Sequence, residues 1–222
     1  MLTEQTNSPE LRVNDILISY ASGAASAPKM ALVDAHLELR PDSRDWVDSL
    51  AHLGGALMEE DEDAPLSDRD AMLSSIFEAN GVVANGGSNG HANGYDAGPL
   101  PKALAELVGM DFKDIPWKTR MPGLKEYRVP TGDDTEASLL WIKAGTAIPV
   151  HTHEGTEATL VLQGAFSDGE GFYGPGDIAV ADDTVDHRPV AEPGDDCICF
   201  AVCDAPLRLT GPIGRFISPF MR

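Results

Sequence analysis

The chain has 222 residues, 42% of them hydrophobic, enough for one large or two small domains with a packed core. Thirty-six acidic residues against 16 basic ones give a net charge of −20, which argues against direct binding to nucleic acid or to an anionic membrane surface and suits a basic protein partner. No apolar run approaches the roughly 18 residues of a spanning helix, and the start, Met1-Leu2-Thr3-Glu4-Gln5, lacks the basic and apolar segments of a signal peptide, so a cytoplasmic location is expected.

The first 80 residues show helical periodicity in four segments. Asn14 can cap a segment that carries Leu17 and Tyr20 on one side and stops at Gly23. Met30, Val33 and Leu37 recur ahead of Pro41, and Trp46, Leu50, Leu53 and Leu57 follow with the same period. Ser67, with Asp70 three residues on, then precedes Met72, Leu73, Ile76 and Phe77. The expectation is a small helical bundle over residues 1–80, near the lower size limit for unaided stability. The acidic run Glu59 to Asp63 reads as a solvated loop. Residues 81–99 read as a flexible linker rich in Gly and Asn, in which His91 has no partner at ligand spacing.

Residues 100–222 change character. After a short helical segment around Leu104 to Val108, β-prone runs recur at Leu139 to Ile142, Thr159 to Leu162, Ile178 to Val180, Cys197 to Val202 and Leu207 to Leu209, separated by Gly, Pro and Asp turns. Trp141, Phe166, Phe172 and Tyr173 are expected in the core of the β structure. Three cysteines, Cys197, Cys199 and Cys203, cluster near the end. The first two share a strand face about 7 Å apart along the strand, a poor start for a disulfide, and reduced thiols are expected.

Within this half, Gly145 to Gly164 contains His151, His153 and Glu157 at the spacing H-x-H-x3-E. Side chains alternate along a strand, so the two histidines point to one face, and Glu157, past a small turn, can reach the same point at the start of the next strand. With its flanking glycines this spacing is similar to the first motif of the cupin barrels, and the strand rhythm indicates a double-stranded β-helix or jelly roll. Cupins take a fourth ligand from a histidine on a later strand. His187 is the only histidine downstream, after the Gly174-Pro175-Gly176-Asp177 turn.

Taken whole, the chain resembles the ChrR-type anti-sigma factors, α+β proteins in which a helical anti-sigma domain precedes a cupin-like domain. The resemblance is carried by SYASGAAS, AHLELRPDSRDW, GGALMEE, LLWIKAG, the H-x-H-x3-E with TLVLQGAF, GDIAVAD and DCICFAVCDAPLRL. It implies an extracytoplasmic-function sigma factor as partner, zinc held by His151, His153, Glu157 and His187, and release of the sigma factor under singlet-oxygen or related oxidative stress. Three imidazoles and a carboxylate also suit Fe, Mn, Ni or Cu. Pairing of two chains through the cupin domain is a further possibility.

The helical half departs from the family pattern. Where the family has zinc ligands, an early histidine and H-x3-C-x2-C, this chain has Arg12 and His36-x3-Arg40-x2-Ser43. Arg cannot deprotonate to serve as a ligand, so zinc is expected to be lost there. His36 is then expected on a helix surface, with packing around Trp46, Leu50 and Leu53 as one replacement for the metal. The second reading is a metal-dependent cupin enzyme of the dioxygenase type, or a small-ligand-binding cupin, whose helical domain no longer inhibits. Glu154 and Asp186 are the carboxylates nearest the ligands in sequence for such an enzyme, although a regulatory protein is favoured.

Overall fold

Ser8 opens the first helix, α1 (Pro9–Ala21), with its hydroxyl oxygen facing the amide of Leu11 at 3.4 Å and with Pro9 and Glu10 in the first turn. The start is therefore a turn and a half earlier than a cap at Asn14 would give, and Asn14 lies inside the helix. The structure is a computed structural model that describes residues 8–59, 68–79, 98–132, 135–153, 155–204 and 207–209. The remaining helices are α2 (Ala27–Leu39), α3 (Arg44–Glu59), α4 (Arg69–Ala79) and α5 (Lys102–Val108). Pro41 ends α2, consistent with its missing amide hydrogen. Asp68 caps α4 by accepting from the amide of Ala71 at 3.0 Å, while Ser67, the expected cap, lies outside the described residues. So do most of the acidic run and of the linker, with His91. No described helix is long and apolar enough to cross a membrane.

Among the described residues the β half follows in eleven strands: β1 (Lys118–Met121), β2 (Leu124–Val129), β3 (Glu136–Ile142), β4 (His151–His153), β5 (Glu157–Gln163), β6 (Phe166–Ser167), β7 (Phe172–Tyr173), β8 (Ile178–Ala181), β9 (Val190–Ala191), β10 (Cys197–Cys203) and β11 (Leu207–Leu209). An antiparallel six-stranded sheet has the order β1-β2-β3-β10-β5-β8. Beside it lie a three-stranded sheet, β7-β6-β9, and the pair β11-β4. This is the helical half followed by a jelly-roll cupin half that the sequence leads one to expect.

The central strands β5 and β10 are buried on both faces, and their alternation divides the core in two. Ala158, Leu160 and Leu162 of β5 and Ile198, Phe200 and Val202 of β10 face one side, where they join Ile16 and Leu17 of α1 and Leu32, Val33 and Leu37 of α2. Val161, Cys197 and Cys199 face the other side and join Phe166, Tyr173 and Ala191 of the small sheet. The first helices thus cover the large sheet directly, and one apolar core runs through both halves. Glu38 of α2 strengthens the junction, since its carboxylate accepts from the amides of Lys102 and Ala103 and so caps α5.

One aromatic residue departs from its expected place. Phe172 is 66% exposed, because β7 is a two-residue strand in which only Tyr173 turns inward. Trp141 packs against the main core, partly buried, edge-on to Trp117 and stacked on Phe112, with its indole N–H donating to Asp196 at 2.8 Å. Gly164 has a positive φ of 66°, and a Cβ there would sit 2.7 Å from the Asp196 carbonyl, so the turn after β5 accepts only glycine. The shared core makes a direct prediction for urea unfolding. Leu160→Ala should lower stability by about 2–5 kcal/mol, and Phe172→Ala by less than about 0.5 kcal/mol. Equal effects would contradict the burial of Leu160 and the exposure of Phe172.

Candidate metal centre

The two histidines of β4 project to one side as alternation requires, and both are buried. Strand β4 pairs with β11 along one edge. Along the other, His151 and His187 exchange both backbone hydrogen bonds at 3.1 Å. Residues paired this way in antiparallel strands share a face, so His187 joins the other two through topology. Glu157 enters as the first residue of β5, beside β10 and β8. One ligand atom from each of His151, His153, Glu157 and His187 lies within 4.8 Å of the others. Among the described residues this is the one group of three or more His, Cys, Asp or Glu side chains so gathered.

Surrounding groups orient these side chains. The Nδ1–H of His151 donates to the Pro149 carbonyl at 2.8 Å, and that of His187 donates to Asp168 at 3.3 Å. Each ring therefore turns an Nε2 lone pair inward, the tautomer that metal ligation needs. The Glu157 carboxylate accepts from Thr159 Oγ1 at 3.2 Å and from Cys203 Sγ at 3.4 Å. His153 is 1% exposed, its Nδ1 buried without a hydrogen-bond partner and its Nε2 turned to the Glu157 carboxylate at 3.7 Å.

The donor set fits a cation. His187 Nε2 lies 2.9 Å from His151 Nε2 and 3.2 Å from His153 Nε2. Three ring nitrogens so close together converge on one point, where a single cation can accept all three lone pairs. Four-coordinate zinc with nitrogen ligands at 2.0–2.1 Å would separate them by about 3.3 Å. The cluster can hold a metal ion.

Electrostatics agree with that capacity. Burial lowers the His151 pKa from 6.5 to about 4, with the His187 and His153 charges acting in the same direction against Glu157 and the Pro149 carbonyl. Burial also lowers that of His153. For Glu157 burial alone acts upward, but the three imidazoles, His153 foremost, outweigh it and keep the carboxyl below its usual value. Asp168 behaves alike: burial opposes ionisation, while the His187 hydrogen bond and the amides of Glu170 and Gly171 prevail. At neutral pH His151 and His153 are therefore neutral imidazoles beside an ionised Glu157.

None of the cysteines belongs to the cluster, although Cys203 donates to Glu157 from beside it. Cys197 and Cys199 are buried thiols whose sulfurs lie 3.4 Å apart, nearer than the backbone spacing suggests, because both side chains lean together under the small sheet. Hydrogen bonding to Cys197 and burial push the Cys199 thiol well up, which disfavours its thiolate. Glu154 lies outside the described residues, and Asp186 is exposed.

The positions that depart from the family pattern in the helical half have other work. Arg12 is buried, its Nε donating to the Val180 carbonyl at 2.8 Å and its guanidinium pairing with Glu170. Arg40 pairs with Asp177 at 2.7 Å. His36, expected on a surface, is buried, with Nδ1–H donating to the Gly176 carbonyl at 2.7 Å. Gly176 admits this approach, since a Cβ there would come within 2.7 Å of Arg40 Cγ. Trp46 and Leu53, expected to pack in place of a metal, are about half exposed. Sequence reasoning had no signal for these long-range contacts; the Asp168-Gly169-Glu170-Gly171 turn is legible, its reach to His187 is not.

The chain is 39% identical over 208 residues to the anti-sigma-E factor ChrR of Cereibacter sphaeroides, covering 93% of this chain and 95% of that one. The chain belongs to the ChrR family of anti-sigma factors. Residues 105–205 match the family description "ChrR Cupin-like domain". Among solved structures, that of Rhodobacter sphaeroides SigE in complex with the anti-sigma ChrR matches at a TM-score of 0.68 and 38% identity, over 86% of this chain and 96% of that one.

The lowered histidine pKa values fix a pH prediction for the metal-free protein. A buried neutral imidazole takes up protons less readily in the folded state than in the unfolded state. Its stabilising contribution is therefore complete above pH 6.5 and is lost as the pH falls toward about 4. The urea midpoint of EDTA-treated protein should fall across that window, less steeply in His151→Gln. A midpoint independent of pH between 6.5 and 4 would contradict the burial of neutral histidines.

Proposed function

We propose that this protein is a cytoplasmic anti-sigma factor, that it sequesters an extracytoplasmic-function sigma factor through its helical half, and that its cupin half holds zinc at His151, His153, Glu157 and His187. Oxidative stress of the singlet-oxygen type then acts on the cupin half to release the partner. What supports this reading is the match, over 86% of the chain, to an anti-sigma factor solved together with its sigma factor. Bound zinc would supply a divalent charge that ties four side chains from three separate segments together.

The helical half presents the kind of surface such binding requires. On α3 only Val47 is buried, while Trp46, Leu53, Leu57 and Met58 are exposed, Met58 at 76%. On α4, Met72 and Phe77 are exposed too. An apolar helix face left open on the surface is suited to a partner's groove or helix. Fully burying each such side chain is worth about 1.5–3 kcal/mol, and a net charge of −20 steers basic surfaces toward it.

Co-expression of the full chain with extracytoplasmic-function sigma factors of the same genome should yield a one-to-one complex with at least one of them. Leu53→Asp should weaken that complex at least about tenfold, close to 1.4 kcal/mol, while the protein retains about one zinc per chain by elemental analysis. The His151→Ala/His153→Ala double variant should lose the metal. Failure of every sigma factor to bind would overturn the partner, and unchanged metal in the double variant would overturn the ligands.

A further inference from the structure

The β6–β7 turn touches the metal cluster on one side and helix α1 on the other. Asp168 stands at its centre with a side chain only 2% exposed. One carboxylate oxygen accepts from the Nδ1–H of His187. The other accepts from the backbone amides of Glu170 at 2.9 Å and Gly171 at 3.1 Å, and the amide of Asp168 itself donates to the Gly171 carbonyl at 3.0 Å. This closed turn presents Glu170 to the buried guanidinium of Arg12 on α1. The hydrogen-bonded path from His187 to α1 is therefore continuous: imidazole, Asp168, turn amide, Glu170, Arg12.

We propose that Asp168 and Glu170 form a relay through which occupancy of the His3Glu cluster sets how firmly α1 is seated on the β half. The inference rests on the reading that these four side chains hold zinc. With His187 Nε2 committed to a metal, its ring is fixed and its Nδ1–H stays on Asp168. Without the metal, His187 Nε2 meets only the Nε2 atoms of His151 at 2.9 Å and His153 at 3.2 Å, so the His187 ring is held less firmly and can turn. Asp168 then loses one of the groups that hold it, the turn loosens, and Glu170 leaves Arg12.

Departure of Glu170 breaks the ion pair that ties Arg12 to the turn, so α1 is held to the β half less firmly. Helix α1 packs on α3, the helix with the exposed apolar face, so the relay ends beside the surface proposed to hold the sigma factor. Asp168 and Glu170 act here as positioning residues. Coupling between two equilibria is reciprocal: whatever metal does for α1, an intact Arg12–Glu170 pair does for metal.

The test uses the full chain, zinc alone as ligand, and two readouts: zinc affinity by competition with a chelator, and hydrogen–deuterium exchange of residues 9–21. In the unmodified protein, chelation should speed exchange in α1 and in the 168–171 turn. In Glu170→Gln, exchange in α1 should already be fast and indifferent to zinc, and zinc should bind about 5- to 150-fold more weakly, although Glu170 is not among the four ligands. Asp168→Asn should do the same. Arg40→Ala removes a different ion pair between helix and β half and should leave both zinc affinity and the zinc-dependent exchange of α1 intact. If zinc fails to bind the unmodified chain, the metal reading falls and the relay with it. If zinc binds but Glu170→Gln retains both its affinity and its metal-dependent exchange, the relay alone is wrong. If Arg40→Ala weakens zinc as much as Glu170→Gln does, the coupling is general destabilisation and the path through Asp168 is also wrong.

Discussion

Strands β5 and β10 are apolar on both faces, and an antiparallel sheet of that kind cannot leave either face to water. One face is closed by the small sheet over Val161, Cys197 and Cys199. The other is closed by helices α1 and α2 over Leu160, Phe200 and Val202. Everything else in the architecture follows from the second closure. Because the helices cap the sheet, the side chains that orient them must reach polar groups at its rim, and the carbonyls and carboxylates around Glu170, Gly176, Asp177 and Val180 provide those groups.

The rim contacts occupy the positions where the resembled family places zinc ligands. Arg12, His36 and Arg40 tie α1 and α2 to the β half instead. A buried ion pair adds little net stability over apolar packing of the same shape, yet removing one partner costs about 3–5 kcal/mol. Its contribution is geometric: it selects one seating of the helix among several that apolar contact alone would tolerate.

Much of the cluster was legible before any coordinates. The H-x-H spacing on a strand fixes a common face for His151 and His153, and a glutamate opening the next buried strand is within reach. His187 was reached only by elimination, because its place depends on a two-residue bridge to His151 that no local pattern encodes. Helical periodicity located α1 to α4, but a period of 3.6 reports that a face is apolar and not what covers it. Leu17 and Val33 meet the sheet, whereas Leu53 and Leu57 meet solvent with the same pattern. The short strands β6, β7 and β9 carry too few residues for alternation to show, which is why Phe172 was expected inside. The long-range roles of Arg12, His36 and Asp168 are set by tertiary approach, and their neighbours in sequence carry no sign of it.

A single core spanning both halves means that they should unfold together. Differential scanning calorimetry of the full chain tests this most directly. One transition, with the calorimetric enthalpy equal to the van't Hoff enthalpy, is the predicted result. Two separable transitions, one for the helices and one for the β half, would show that the halves are independent domains and that the packing of α1 and α2 on the sheet contributes little.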